Sequence, residues 1–233
     1  MSWKVLKFGG TSVASVARWG DIAATVSSSL GSSRVWIVAS ALAGVSDALV
    51  DMLDDAVDGR HRDALARVRD QHEALAAAAG IPLPADVGDL LDDLARLLEG
   101  IALLGEASDH VRARVMSFGE LASTRLGVAL LASHGVEARW VDARELLVSE
   151  AEGSPLSRRV PTVVDPSRVE PWVSGAHVVL TQGFIARDPS GRTTLLGRGG
   201  SDTSAALFGA LLKAKSVEIW TDVHGMFLSL IHI

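Results

Sequence analysis

The chain has 233 residues, 48% of them hydrophobic, which is enough to bury the core of one α/β domain. Its 22 basic and 28 acidic side chains give a net charge of −6, which argues against nucleic acid as a partner, and without cysteine it forms neither disulfides nor thiolate metal sites. We expect a cytoplasmic protein without membrane association, because no apolar run reaches the length of a bilayer span and no signal-like segment opens the chain.

Short β-rich runs alternate with long helical patterns. Apolar residues at near-helical spacing from Val13 to Leu30 predict a helix that begins at Gly9 and Gly10. Residues 41–135 are predicted to be almost entirely helical, with a break at residues 80–88. The predicted strands are WKVLKF, RVWIVAS, VEARWVDA, HVVLTQGFIA and VEIWTD. This alternation predicts an α/β protein, a three-layer α/β/α sandwich with a mostly parallel central sheet. ARDPSGRTT has the composition of a hairpin turn and adds an antiparallel excursion after the fourth strand.

Four short segments combine glycine with polar residues at predicted strand ends or helix starts: KFGGTS, ASALAGVSD, MSFGELAS and LGRGGSDTSAAL. None has the Walker spacing, and GRGGSD lacks the third glycine of a dinucleotide-binding loop. Lys7, however, ends the first strand beside the uncovered amides of Gly9 and Gly10, which predicts an anion site at the carboxyl edge of the sheet. QHEAL around His72 lacks the second histidine of a zinc helix, so no metal ligands are predicted.

In this order, KFGGTSV, SFGE and GRGGSDT with WTDV resemble the aspartate kinases of the amino-acid kinase family, as far as Phe227. LTQGFIAR and TDVHGMF are similar to the kinase half of bifunctional aspartate kinase–diaminopimelate decarboxylases. The resemblance implies the amino-acid kinase fold and the phosphorylation of the L-aspartate side-chain carboxylate by ATP with Mg²⁺. The product would be 4-phospho-L-aspartate, on the route to lysine, threonine and methionine. It also implies a homo-oligomer in the full-length protein.

The resemblance assigns roles to individual residues. The catalytic residues it implies are Lys7 and Asp202, with Asp202 orienting Lys7 rather than removing a proton. The phosphate- and ATP-binding residues it implies are Lys7, Gly9, Gly10, Ser201, Thr221, Asp222 and Phe227. The aspartate-binding residues it implies are Ser40, Ser46, Glu120, Arg198, Gly199, Gly200 and Ser201.

The charged residues also have a rationale of their own. Arg198 lies among three glycines, so its guanidinium can meet a carboxylate with two parallel hydrogen bonds. Glu120 is the only charge in SFGE and can hold an α-ammonium group. The alternatives are a structural Arg198–Glu120 pair and an exposed helix position for Glu120.

The hydroxyl residues have local alternatives. Ser201 or Asp202 would be the expected N-cap of the helix that follows them. Ser40 and Ser46 bracket a turn in which serines often bond their own backbone, and Ser46 stands where threonine is usual in the family.

The end of the chain departs from the family. Phe227 stands where many members have tyrosine, and LSLIHI replaces an Asp/Asn-Pro-Arg segment. We therefore expect a catalytic domain over residues 1–227 that lacks its C-terminal part, an atypical tail over 228–233, and impaired activity of the chain as given. The alternatives are a non-catalytic fragment that binds aspartate or a partner subunit, and a kinase of another small carboxylate or phosphate.

Overall fold

A computed structural model describes residues 1–160 and 169–220. The strands are β1 (Trp3–Phe8), β2 (Arg34–Ala39), β3 (Arg139–Val141), β4 (Val178–Gln182), β5 (Ile185–Arg187), β6 (Thr193–Leu195) and β7 (Ser216–Trp220). The helices are α1 (Val16–Leu30), α2 (Val45–Val57), α3 (Arg62–Ala78), α4 (Ala85–Leu104), α5 (Asp109–Ser133), α6 (Ala143–Leu146), α7 (Glu170–Val173) and α8 (Gly200–Leu211).

The central sheet has five strands in the order β3-β4-β2-β1-β7, and all of its neighbouring strands are parallel. In its register Phe8 lies beside Ala39 and Trp220, and Ala39 lies beside Gln182. The strands β1, β2, β4 and β7 therefore end level with one another, so the residues that follow them meet at one edge of the sheet.

Both faces of the sheet are buried along the inner strands β2 and β4, which explains their nearly continuous apolar character, whereas the edge strand β7 is partly exposed. On one face, Leu6 and Ile37 belong to a core shared with helices α1 to α5. On the other face, Val5 and Trp36 pack with residues of α6, α7, α8 and the hairpin. The three-layer α/β/α fold with a mostly parallel sheet is confirmed.

Helix α5 is the long helix that carries SFGE, and it lies against the sheet. Its Gly127 leaves room for Trp19 of α1, because a Cβ at that glycine would come within 2.4 Å of the indole. Helix α5 is long and apolar enough to cross a membrane, contrary to the expectation that no apolar segment reaches that length. However, 78% of its most apolar stretch of 18 residues is buried inside the fold.

Three local predictions differ from the structure. The first α-helix begins at Val16 with Ser15 as its N-cap, and Gly10–Val13 form a short 3-10 turn instead. The fourth predicted strand divides into β4 and β5, because Phe184 has a positive φ of 68° and turns the chain out of the sheet. The third strand is only Arg139–Val141. The hairpin of β5 and β6 is confirmed as antiparallel.

Candidate active site

The glycine and polar segments meet in one cavity of about 360 Å³ at the carboxyl edge of the sheet. Its lining residues are Lys7, Gly9, Gly10, Ser40, Ser46, Glu120, Phe184, Gly197, Arg198, Gly199, Gly200, Ser201 and Asp202. Two larger depressions, of about 620 and 480 Å³, lie elsewhere and gather none of the predicted site residues. The predicted residues Thr221, Asp222 and Phe227 lie outside the described part of the chain.

Lys7 and Asp202 form an ion pair across this cavity, with 2.7 Å between Nζ and Oδ1. Lys7 is the second-last residue of β1. Its side chain is 12% exposed, whereas that of Asp202 is 50% exposed. The Asp202 carboxylate therefore holds the Lys7 ammonium group at the cavity wall and itself stays in contact with solvent.

The glycines beside Lys7 allow close approach of two backbone segments. A Cβ at Gly10 would come within 2.9 Å of the Ala41 carbonyl oxygen, so a larger residue would push the two loops apart. Gly199 has a positive φ of 71° and stands at the N-cap of α8. The N-terminus of this helix thus opens on the cavity, where its amides and dipole favour an anion.

Neither Ser201 nor Asp202 is the N-cap of α8, so the prediction of a capping role is wrong. The cap residue is Gly199, which has no side chain, and the helix begins at Gly200. Ser201 and Asp202 lie in the first turn and are free for other contacts. Asp202 binds Lys7, and the Ser201 hydroxyl accepts a hydrogen bond from Ser40.

Ser40 and Ser46 lie on either side of the turn that joins β2 to α2, as predicted. The Ser40 hydroxyl donates to the Ser201 Oγ at 3.1 Å, so it joins the loop after β2 to the first turn of α8 instead of bonding its own turn. The Ser40 carbonyl oxygen accepts a hydrogen bond of 2.9 Å from Ser123 of α5. Three segments of the site are thereby tied together.

Glu120 is buried, with only 3% of its surface exposed, although it lines the cavity. Its Oε1 is 3.5 Å from the Ala41 amide nitrogen, the outer limit of a hydrogen bond, and its Oε2 has no partner among the described residues. Burial raises the pKa of Glu120 to about 8, and the backbone amides of Glu120 itself and of Ala41 only partly oppose this rise. The alternative of an exposed helix position is wrong.

Arg198 is exposed and lies in a turn closed by a hydrogen bond of 3.0 Å from the Gly200 amide to the Gly197 carbonyl. Within residues 1–160 and 169–220 it makes no salt bridge, so the alternative of a structural Arg198–Glu120 pair does not hold there. The site therefore offers a guanidinium at its mouth and a carboxyl group in its wall.

Phe184 is a cavity residue that the sequence reasoning missed. Its backbone is held in the left-handed region by a hydrogen bond of 2.9 Å from its amide to the Ser204 hydroxyl, and its carbonyl accepts from the Leu196 amide. Its ring lies over Gly200, where a Cβ would come within 2.8 Å. Only the position of Gly183-Phe184 just after an apolar strand could have pointed to it.

The acidic residues of the described segments do not form a metal cage. No group of three histidine, aspartate or glutamate side chains lies close enough there to hold an ion. At this edge of the sheet, Asp202 is the carboxylate beside Lys7, and one of its oxygens is already paired.

Comparisons with known proteins agree with this fold and with the family resemblance of the sequence. The profile of the amino acid kinase family matches residues 2–229. Bifunctional aspartokinase/homoserine dehydrogenase 1 of Arabidopsis thaliana is 35% identical over 97% of this chain and 26% of its own length. Lysine-sensitive aspartokinase 3 of Escherichia coli strain K12 is 34% identical over 96% of this chain and 49% of its own length.

Solved structures give the same relation. The crystal structure of E. coli aspartokinase III in complex with aspartate and ADP superposes with a TM-score of 0.79 and 32% identity, over 95% of this chain and 49% of that one. The chain spans about half the length of this protein and about a quarter of the plant relative. A fused decarboxylase stays a prediction.

Proposed function

The chain belongs to the amino acid kinase family, and we propose that it is the catalytic domain of an aspartate kinase, with ATP and L-aspartate as substrates. The domain comprises residues 1–227. The transfer joins the γ-phosphoryl group of ATP to an oxygen of the aspartate side-chain carboxylate and gives 4-phospho-L-aspartate and ADP.

One observation carries this proposal: a single cavity presents a paired lysine, a helix N-terminus, a buried carboxyl group and an exposed guanidinium. Lys7 and the start of α8 suit the phosphates of a nucleotide. Glu120 and Arg198 match the two charges on the backbone of an amino acid, the ammonium and the α-carboxylate. The cavity thus has complements for both substrates.

The proposed reaction needs no general base. The attacking carboxylate is ionised at neutral pH, so the new O–P bond forms from an existing lone pair while the bond to the ADP oxygen breaks. No proton is transferred in this step. The chain contributes alignment of two anions and neutralisation of the charge between them.

Lys7 supplies that neutralising charge, and Asp202 fixes its position. The 2.7 Å contact keeps the ammonium group aimed across the cavity. Thr221, Asp222 and Phe227 bind the nucleoside in this proposal, by family resemblance. Mg²⁺ bound by the phosphates would add further neutralisation.

Glu120 binds the substrate ammonium in its ionised form. With a pKa of about 8 in the empty site, it must release its proton when the ammonium arrives. A neutral carboxyl in the empty site avoids a buried, unpaired charge, and the salt bridge forms only with the substrate. Ser40, Ser46 and Ser201 surround the substrate with hydroxyl groups.

The wider setting belongs to the same proposal. The protein acts in the cytoplasm, on the route to lysine, threonine and methionine, and its full-length form is a homo-oligomer. Residues 228–233 lie beyond the kinase domain.

The test measures product directly. The 233-residue chain, and a version extended with the C-terminal half of E. coli aspartokinase III, would be incubated with MgATP and aspartate. Hydroxylamine would trap the acyl phosphate as a coloured hydroxamate. We expect product with aspartate in the extended protein and less or none with glutamate or acetate. Absence of both hydroxamate and aspartate binding would contradict the proposal.

Two lysines of β1 provide a matched control. Lys4 pairs with Glu218 at 2.8 Å, as Lys7 pairs with Asp202, but it lies at the other end of the strand and does not line the cavity. Lys7→Met should abolish hydroxamate formation, whereas Lys4→Met should leave it nearly unchanged. Equal activity of the two variants would rule out the assigned role of Lys7.

A further inference from the structure

A buried group of hydrogen bonds lies directly behind Glu120, one helical turn along α5. Its centre is Thr124, which is fully buried, and its hydroxyl contacts two other elements, β3 and β4, and the backbone of its own helix. The Gln182 amide Nε2 lies 2.8 Å from Thr124 Oγ1, and the Trp140 indole Nε1 lies 3.0 Å from it. The hydroxyl lies 2.8 Å from the carbonyl oxygen of Glu120 itself.

The chemistry of these groups fixes every donor and acceptor. An indole N–H and an amide NH₂ can only donate, so the two lone pairs of the Thr124 oxygen are both used. The single hydroxyl proton must then go to the helix backbone, to the Glu120 carbonyl or, at 3.3 Å, to that of Leu121. Gln182 Oε1 accepts from the Ala143 amide at 2.8 Å, which confirms the orientation of its side-chain amide.

The position of the Glu120 carboxyl depends on its backbone more than on direct contacts. Its only hydrogen bond in the described residues is the long one from Ala41, and one oxygen has none. Because these contacts are weak, the direction of the Glu120 side chain is set mainly by the backbone of α5. The setting of α5 at this turn therefore decides where the carboxylate meets the cavity.

We propose that Thr124 and Gln182 are positioning residues for substrate binding, which hold the α5 turn that carries Glu120 in register with the loop after β4. The inference rests on the proposed function of Glu120. Gln182 is the last residue of β4, and the next residue, Gly183, packs on Ser201, where a Cβ would come within 2.7 Å. The pair thus joins two parts of the aspartate site, the Glu120 turn and the Ser201 turn.

The role differs from ordinary core packing in what it affects. A purely structural bond would alter stability and disturb both substrates alike. A positioning bond would alter the affinity for the amino acid more than the affinity for the nucleotide, because the Lys7–Asp202 ion pair includes no residue of α5.

The experiment replaces Thr124 by valine, which keeps the shape and removes the hydroxyl. Calorimetry on the 233-residue chain should show aspartate binding weakened roughly tenfold, since small misplacements are costly. MgATP affinity should stay within about twofold, and Thr124→Ser should restore aspartate binding. Thr25→Val is the matched control, because Thr25 makes the same bond to the carbonyl four residues earlier, at 2.8 Å, on α1 and away from the cavity.

Each outcome decides a separate question. Unchanged aspartate affinity in a folded Thr124→Val protein, or equal loss for aspartate and MgATP, would overturn the positioning role. If that variant does not fold, Gln182→Met is measured by the same criteria, and failure of both to fold would make the pair structural and overturn the inference. If the parent chain itself binds no aspartate, the proposed function falls first and this inference with it.

Discussion

Within residues 1–160 and 169–220, two carboxyl groups are buried, and their surroundings are opposite in character. Asp188, at the hairpin between β5 and β6, is 2% exposed and accepts hydrogen bonds from the Ser190 amide, the Ser190 hydroxyl and the Arg192 amide. It also lies 3.5 Å from the buried Arg158 guanidinium. Glu120 is equally buried, yet among the described residues its carboxyl group has one hydrogen bond, at 3.5 Å, and one oxygen without a partner.

The two groups consequently have opposite pKa shifts. Burial raises the pKa of Glu120 to about 8. Burial would also raise the pKa of Asp188, but hydrogen bonds from Ser190 and Arg192 and the charge of Arg192 outweigh it and lower the pKa to about 2. A carboxylate that serves the fold is satisfied by the fold itself. A buried carboxyl group without such partners, like Glu120, can instead bind a cation that enters the cavity, which in the proposed function is the ammonium group of the substrate.

Removing the charge at Glu120 is the strongest test of this contrast. Glu120→Gln keeps the shape but cannot neutralise an ammonium group, so aspartate affinity should fall about 100-fold, or about 2.7 kcal/mol. The free energy of unfolding at pH 7 should rise by roughly 2–3 kcal/mol, because the parent carboxyl stays protonated in the folded chain at a pH at which it ionises in the unfolded chain. Calorimetry with aspartate and urea denaturation measure the two quantities. Retained affinity would show that Glu120 is not the ammonium ligand.

The mirror-image variant is Asp188→Asn, whose effect should be on stability. Arg158 would lose its buried partner and the hairpin would lose its best acceptor, so the free energy of unfolding should fall by about 2–3 kcal/mol. Aspartate affinity should stay within about threefold of the parent, because Asp188 does not line the cavity. Loss of aspartate binding without loss of stability would break the comparison.

Much of this contrast is invisible in the sequence. The strands and helices follow from hydrophobic periodicity, and the glycines around Lys7 and Arg198 indicate an anion site. The family motifs bring Glu120 into that site. Nothing local, however, shows that Glu120 is buried and poorly satisfied, because its surroundings come from Ala41, far away in the chain.

Other features depend on tertiary contacts for the same reason. Thr124 and Gln182 are 58 residues apart, and their hydrogen bond exists only once α5 lies on the sheet. The capping prediction for α8 failed because the left-handed Gly199, rather than a hydroxyl, ends the preceding turn. Phe184 needs the Ser204 hydroxyl to stay in its strained conformation, and that contact cannot be seen in a strand pattern.

The two carboxyl groups should also give stability opposite pH dependences. The folded-state pKa of Glu120 lies above its unfolded value of 4.5, so its contribution is complete below about pH 4.5 and is lost as the pH rises toward 8. That of Asp188 lies below its unfolded value of 3.8, so its contribution is present above pH 4 and is lost as the pH falls toward 2.

Urea denaturation between pH 2.5 and 8 would separate these terms. Relative to the parent, Glu120→Gln should remove a decline of roughly 1 kcal/mol per pH unit between pH 5 and 7.5. Asp188→Asn should instead reduce the loss of unfolding free energy as the pH falls from about 4 to 2.5. Curves that shift in parallel would mean that neither carboxyl has a perturbed pKa in the folded chain.

Each of these carboxyl groups has an arginine in its own site, Arg158 beside Asp188 and Arg198 in the cavity that Glu120 lines, and these arginines give the smallest expected effect. Arg158 is buried beside Asp188, whereas Arg198 is exposed at the cavity mouth and makes no salt bridge in the described residues. If Arg198 binds the α-carboxylate of aspartate with two parallel hydrogen bonds, Arg198→Lys keeps the charge but loses the paired donors of the guanidinium. Aspartate affinity should then fall about fivefold, or about 1 kcal/mol.

Arg192→Lys is the control, because Arg192 is also exposed but belongs to the hairpin, where its charge supports Asp188. Stability should be nearly unchanged in the first variant and slightly lowered in the second. Equal aspartate affinity in the parent and Arg198→Lys would mean that only a positive charge is needed at the cavity mouth. The orientation of the substrate would then depend chiefly on Glu120.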